Sequence, residues 1–502
     1  MTSGVRNKRL AEQEFATLRE QVLAEWPTGH EVNLQEAIAY HKSMPPSKNM
    51  ALKYAEARKQ GETLITSMAG VATLEGQIEL FQYLQDRGQI DILRLEEDTL
   101  TKIHSYTEAE AAVKEAQRTG KNILNGFPVV THGVSGCRQL VEAVHLPITL
   151  DGSVIDQRLI CEIGFAGGLS GVTSGPISCF GQYSKNVPLD QVIHNYQYVY
   201  RLMGYYEENG VPMLYRASGQ VDGPQSLQIA QDIIENLLAA EQGVKNVIAK
   251  PFQFPGNLIQ DVSATHVSRK LTEGYLNRLG YADVTVYTQC HHPYGRFPLD
   301  HAQAYAIIAM APICAALAGA DSFLTFTIDE AWTTPTKENN AASLRFARML
   351  LNIWKAQAWQ FDLLNNRAVQ EEMAEMERET TAILDRVLEL GEGDCVLGAM
   401  RAFETGELDF EGTIYTSKFV KGKVLQVRDA TGAKRYLDTG NLPFTNEMKD
   451  FHRQKIAERS TKQGKVVDYD TLVGDWTAFS RGEYLSGPDW EEKQAAVSDR
   501  TY

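Results

Sequence analysis

Thr63-Leu-Ile-Thr-Ser-Met68, the amphipathic stretch Glu75–Arg87 and Asp91-Ile-Leu-Arg-Leu95 form one period of a pattern that then repeats. Short apolar runs of strand length alternate with helical stretches at spacings of about 30 to 40 residues. The later runs are Asn122-Ile-Leu-Asn-Gly126, Pro147-Ile-Thr-Leu-Asp151, Gly168-Leu-Ser-Gly-Val-Thr173 and Pro212-Met-Leu-Tyr-Arg216. They continue through Asn246-Val-Ile-Ala-Lys250, Asp283-Val-Thr-Val-Tyr287 and Ser322-Phe-Leu-Thr-Phe-Thr327. Strands that alternate with helices predict a parallel sheet, and eight such units close into a (β/α)8 TIM barrel. Nine candidates compete for eight places, so one lies outside the barrel. An open doubly wound sheet is the runner-up. It would carry a Gly-rich phosphate turn after its first strand, and neither G-x-G-x-x-G nor G-x-x-x-x-G-K-[ST] occurs.

Outward from this core, Leu10, Phe15, Leu18, Val22 and Leu23 recur at near-helical spacing, which predicts a helical arm over 1–60 before a barrel over 61–360. Beyond it, 361–502 reads as an α+β extension. Gln370–Leu390 is a long charged amphipathic helix, Lys423–Leu437 a hairpin turning at Asp429-Ala-Thr-Gly432, and the segment after Asn446 a polar helical tail.

The net charge of −15 argues against nucleic acid as the main ligand, because phosphate binding needs clustered Lys and Arg. Six scattered cysteines with no C-x-x-C pair read as buried thiols in a reducing compartment. Met1 to Arg9 lacks an apolar signal core, and the apolar run Ala304–Ala320 is interrupted by Pro312 and reads as too short to span a bilayer. A soluble, cytoplasmic protein is expected.

In such barrels the chemistry sits at the C-terminal strand ends. Here those ends read Met68-Ala-Gly70, Asn125-Gly126, Asp151-Gly152, Thr173-Ser-Gly175, Arg216, Lys250, Gln289-Cys-His-His292 and Asp329-Glu330. Small residues at many of them let a ligand approach the backbone. Cys290-His291-His292 invites a metal reading, but adjacent strand residues face opposite sides, so His291 is expected in the pocket and no metal is assigned. H-E-x-x-H and G-x-S-x-G are absent, which leaves hydrolase readings without a motif.

Tyr183-Ser-Lys-Asn-Val-Pro188, Leu237-Leu-Ala-Ala-Glu-Gln-Gly-Val-Lys-Asn246 and Pro335-Thr-Lys-Glu-Asn-Asn-Ala-Ala342 carry a family resemblance. Trp26-Pro-Thr-Gly29, Asn125-Gly-Phe-Pro128, Gly133-Val-Ser-Gly-Cys-Arg138 and Asn441-Leu-Pro-Phe-Thr445 extend it, in order, over nearly the whole chain. These segments resemble the large (epsilon) subunit of glutamate mutase, also called methylaspartate mutase. The resemblance implies half of an adenosylcobalamin-dependent isomerase, with a barrel that caps the corrin and shelters the radical and substrate. It implies a separate small subunit bearing a D-x-H-x-x-G cobalamin motif, absent here, and a homodimer core within a heterotetramer.

Gly70, Asn125, Phe297 and Glu330 match family positions that contact the cofactor, and Thr334 is assigned to the same set. Glu330 would accept hydroxyl hydrogen bonds from the adenosyl ribose. Two further cofactor positions differ: Gln182 replaces a proline and Phe326 a lysine. The substrate side is altered more. Met68, Lys102 and Asp151 stand where the family grips two carboxylates with three arginines. Gly152 replaces a histidine, Thr173 a glutamate and Cys179 a tyrosine, while Tyr183 is retained. Asp151, if buried, needs a cation, either a substrate ammonium or a group such as Arg216. The resulting expectation is a mutase acting on something other than glutamate. The alternatives are a methylaspartate mutase proper, with glutamate or 2-oxoglutarate as substrate, and a non-catalytic barrel subunit.

Overall fold

The computed structural model describes residues 5–152, 154–220, 222–250, 255–293, 295–487 and 489–498. Eight parallel strands close a barrel: β1 (Leu64–Ala69), β2 (Ile92–Glu96), β3 (Ile148–Asp151), β4 (Gly171–Thr173), β5 (Leu214–Arg216), β6 (Asn246–Ala249), β7 (Thr285–His291) and β8 (Ser322–Leu324). β8 pairs back onto β1 through Leu64↔Ser322 and Thr66↔Leu324, which leaves no free edge. The TIM-barrel reading of the sequence holds.

The supernumerary ninth candidate is Asn122–Gly126. It is a loop crossing the end of β2, tied there by a single bridge between Glu97 and Phe127. Its apolar pair suggested a strand, yet Ile123 is 45% exposed. Gly126 has φ +144°, and a Cβ there would lie 2.5 Å from the Asp98 nitrogen, so the chain must turn at this point on glycine. Asn125 therefore reaches the barrel rim from a loop after β2, and β3 is the strand ending at Asp151.

The floor of the barrel sets the phase of every inward-facing side chain. Met50, Ala51, Tyr54 and Ala57 of the helix Met50–Lys59 pack on Leu64, Ile92, Leu214, Ile248 and Tyr287. The Tyr54 hydroxyl donates to Ser322 Oγ at 2.8 Å, and Arg58 binds Asp321 through Nε at 2.7 Å. Because strand side chains alternate, Thr66, Arg94, Arg216 and Gln289 stand one layer above this apolar floor. Met68, Glu96 and His291 follow one layer higher, at the C-terminal mouth. A floor of apolar residues under a charged upper half suits a site at that mouth.

In the extension, the helix Arg367–Leu390 turns Val369, Met376, Ile383 and Val387 inward, a helical stripe. It packs on the barrel helices Gln225–Glu241 and Leu258–Arg278. Strands β9 (Val424–Arg428) and β10 (Lys434–Thr439) form the expected hairpin. The apolar run at His301–Ala318 is long and apolar enough to cross a membrane by composition, but half of it is buried within the fold. Its Ala304, Ile307 and Ile308 pack on Phe297, Ile328 and Phe479.

All six cysteines are buried free thiols. Burial pushes the Cys137, Cys161 and Cys395 thiols well up from their ordinary value. Thiol reactivity requires the thiolate and access to it, so the native chain is expected to react with fewer than about one equivalent of an aromatic disulfide reagent within minutes. Six equivalents are expected after denaturation. Rapid titration of two or more thiols in the native protein would contradict this packing.

Candidate active site at the C-terminal mouth of the barrel

A cavity of about 420 Å3 opens at the mouth, lined by Met68, Gly70, Glu96, Asn125, Phe326, Glu330 and Thr334 among others. Five of the assigned cofactor-side residues thus share one cavity with Met68 of the substrate set. Gly70 has a backbone reason for being glycine. A Cβ there would lie 2.6 Å from the Glu96 carbonyl oxygen and 2.7 Å from Gly126 Cα.

Glu330 follows β8 and is half-buried. Desolvation pushes its carboxyl up from the usual range to about 7. Its carbonyl accepts the Phe297 N–H at 3.4 Å, and the Phe297 carbonyl accepts the Trp332 indole N–H at 2.7 Å. Phe297 is thereby tied to the Glu330 segment.

His291 and His292 do not split to opposite faces. Their ring centres are 4.6 Å apart, because His292 lies one residue beyond the end of β7, where strand alternation no longer governs direction. His292 Nε2 accepts the Phe326 N–H at 3.1 Å, which assigns the proton to Nδ1, 2.7 Å from the Pro293 carbonyl. Burial lowers His292 to about 4 and His291 well below the ordinary imidazole value. Both rings are neutral near pH 7. Among the described residues no group of three or more His, Cys, Asp or Glu side chains could hold a metal.

The altered substrate-side residues adjoin this cavity and are linked to one another. Asp151 is paired with Arg94 of β2, and both side chains are buried. Arg216 is not its partner; Arg216 Nε donates instead to Gln289 Oε1 at 2.7 Å. Lys102 is paired with Glu96. Glu96 and Asp151 lie side by side in the β2–β3 register, and Asp151 is level with Thr173 across β3–β4. A Cβ on Gly152 would sit 3.3 Å from Lys102 Cε, so a larger residue would crowd that lysine. Four altered positions thus form one patch in which two cations meet two carboxylates.

The remaining assigned residues lie in and after the short helix Pro176–Gln182. Cys179 is buried, with Sγ 3.2 Å from the Tyr196 hydroxyl and 3.5 Å from Ser174 Oγ. The Gln182 carbonyl accepts from Thr416 Oγ1 at 2.9 Å, and Tyr183 is 46% exposed. Lys250, one residue beyond β6, is fully buried, and desolvation holds its amine well below the ordinary value, with Arg216 and Arg94 adding to the effect. Arg94 and Glu96 are functional candidates that sequence reasoning passed over, although both lie within or beside the quoted run Asp91–Leu95. Inward phase along β2 would have found them.

The model of one protein family, described as the methylaspartate mutase E chain (MutE), matches residues 44–488. The chain belongs to the methylaspartate mutase E chain family. Its relatives include the glutamate mutase epsilon subunit of Treponema denticola, 40% identical over 486 residues, covering 96% of this chain and 99% of that one. The epsilon subunits of Desulfitobacterium hafniense (39%, with 96% and 99% covered) and Haloarcula marismortui (36%, with 97% and 98% covered) are similar along the same span. Membership of the E chain family places this chain among mutase large subunits and makes it an isomerase-type protein.

Proposed function

We propose that this E chain is the large subunit of an adenosylcobalamin-dependent carbon-skeleton mutase whose substrate is not glutamate. The observation that carries the substrate reading is the internal pairing of Asp151 with Arg94 and of Lys102 with Glu96. Of the three positions where the family resemblance places carboxylate-gripping arginines, one keeps a cation, Lys102, and it is engaged by Glu96, while the neighbouring Arg94 is engaged by Asp151. Each lost charge-assisted contact costs about 2–5 kcal/mol. Two lost contacts reduce the affinity for a dicarboxylate by roughly three orders of magnitude or more. The fitting substrate is an amino acid or keto acid with fewer carboxylates, or with a neutral or cationic group toward the Glu96–Asp151 side.

The mouth cavity suits the adenosyl end of the cofactor. Glu330 offers a half-buried carboxylate beside open volume and Asn125 a side-chain amide, while Phe297, buried outside the lining, backs the Glu330 segment. When bound, the cofactor supplies hydrogen-abstracting radical chemistry. The residues of this chain would bind its ribose hydroxyls, keep the cavity closed to water and hold the substrate beside it. Tyr183 and Glu330 are the assigned catalytic pair. In this reading 61–360 is the capping domain, 1–60 closes its floor and 361–502 braces its rim. The chain works in the cytoplasm as a homodimer core of a heterotetramer.

The sequence lacks D-x-H-x-x-G, so the corrin is assigned to a small partner subunit. The chain alone is expected to bind adenosylcobalamin weakly and to gain at least about tenfold in affinity once that subunit is added. Stoichiometric binding by the isolated chain would contradict this division of labour. In the reconstituted complex, EPR should detect cobalt(II)–radical coupling with a suitable monocarboxylate amino acid and none with glutamate. A glutamate-dependent signal would overturn the substrate assignment, and silence with every amino and keto acid tried would overturn the catalytic one.

A further inference from the structure

The loops after β4 and β5 converge on a buried carboxylate that the site described above does not use. Glu235 lies on the barrel helix Gln225–Glu241 and is fully buried. Its Oε1 accepts the Ile177 N–H at 2.9 Å, from the first turn of the short helix Pro176–Gln182 in the connection after β4. Its Oε2 accepts the Ser218 N–H at 2.8 Å and the Gly219 N–H at 3.1 Å, from the loop after β5. The Tyr215 hydroxyl lies 3.4 Å from the same oxygen. One side chain therefore ties two successive rim loops together.

We propose that Glu235 is a positioning residue that fixes the substrate-side rim by clamping the loops after β4 and β5. Burying a carboxylate is unfavourable unless its acceptor capacity is filled, and here backbone donors from the two successive connections fill it. Gly175 supports the assignment. A Cβ there would lie 2.0 Å from Glu235 Oε2, so the loop after β4 leaves room for the carboxylate by carrying no side chain. That loop leads directly from Thr173 to Cys179, Gln182 and Tyr183. Its far end is pinned from the other side, where the Thr416 and Ser417 N–H groups donate to the Gly181 carbonyl at 2.8 and 3.1 Å. The Tyr196 hydroxyl, which donates to the Val154 carbonyl at 2.7 Å, links the loop after β3 to Ser174 and Cys179. The substrate side thus hangs on fixed anchors, of which Glu235 is a side-chain one that joins the segments after β4 and β5.

The proposal rests on the mutase reading only for its kinetic arm. Glu235→Gln keeps the shape but replaces one acceptor oxygen by an amide that faces N–H donors. Hydrogen–deuterium exchange of the full chain should show peptides over 174–182 and 215–220 exchanging about tenfold faster or more, with β1 to β3 unchanged. In the reconstituted complex, with the substrate found by EPR, KM should rise about tenfold while kcat stays within about threefold. Cobalamin affinity should be unchanged. A merely structural role would lower the active fraction, and so kcat, at constant KM. Glu235→Asp keeps the charge but is one methylene short of spanning both loops, so it should show the same pattern more weakly and still fold if the glutamine variant does not. Unchanged exchange in both peptides, or a fall in kcat alone, would overturn the assignment. If no substrate supports turnover, the mutase reading fails, while the exchange experiment still decides the role of Glu235.

Discussion

Replacing Arg94 by methionine is expected to lower the stability of the chain by about 3–5 kcal/mol, read as an earlier urea midpoint. The loss comes chiefly from what is left behind. Asp151 is buried beside Glu96 in the β2–β3 register, and without Arg94 its charge has lost its ion-pair partner. The deficit should shrink as the pH is lowered far enough to protonate the stranded carboxyl, because the penalty belongs to the ionised form. The double variant Arg94→Met with Asp151→Leu should recover most of the loss, since a buried ion pair and a well-packed apolar pair are often of similar worth. Lys102→Met provides the contrast. Lys102 and Glu96 are 21% and 22% exposed, so water screens what remains and the change should stay below about 1 kcal/mol. Equal losses for Arg94→Met and Lys102→Met would mean that burial does not separate the two pairs, and the pocket's electrostatics would need redrawing.

The same two pairs mark where sequence reasoning reached its limit. The barrel was legible because strand-length apolar runs and helices recur at a spacing that local physics dictates. Asn122–Gly126 misled because two apolar residues beside a glycine satisfy a strand pattern, and only the tertiary approach of Gly126 to Asp98 shows that the segment must be a turn. The positions of Met68, Lys102 and Asp151 were legible, but their meaning was not. Whether Asp151 repels a substrate or is already neutralised depends on the pairing of β2 with β3. That register is non-local and does not appear in either strand's own composition. Arg94 was hidden for a related reason. In Asp91-Ile-Leu-Arg-Leu95 the strand pattern alone does not say which way Arg94 points, whereas in the closed barrel both faces of the strand are covered and Arg94 is buried. Glu235 was hidden more deeply. Nothing local to Gln225–Glu241 shows that the helix Arg367–Leu390 covers its outer side and leaves it buried all round.

Glu330→Gln is expected to reduce turnover in the reconstituted complex by about 10- to 150-fold while making the chain more stable above neutral pH. The two effects have one origin. Burial raises the Glu330 carboxyl to about 7, so at higher pH the folded state must hold a carboxylate where desolvation disfavours it. A group whose folded value lies above its unfolded one subtracts stability as the pH rises from about 4.5 through 7. Each unit of the shift is about 1.4 kcal/mol, and because Glu330 is only half-buried the glutamine variant should gain about 1–3 kcal/mol at pH 8. No gain is expected at pH 4, where both states of the wild type are protonated. Function runs the other way. Only the ionised carboxylate can accept two hydroxyl hydrogen bonds at full strength, so wild-type turnover should rise with pH through about 7, and Glu330→Gln should flatten that limb. A side chain kept only for packing would show the stability gain, which follows from burial alone, but not the lost inflection. A carboxylate held at a cost in the open cavity, useful only when the mouth is filled, should show both. Undiminished turnover in Glu330→Gln would remove Glu330 from the reacting end of the cavity, whatever its effect on stability.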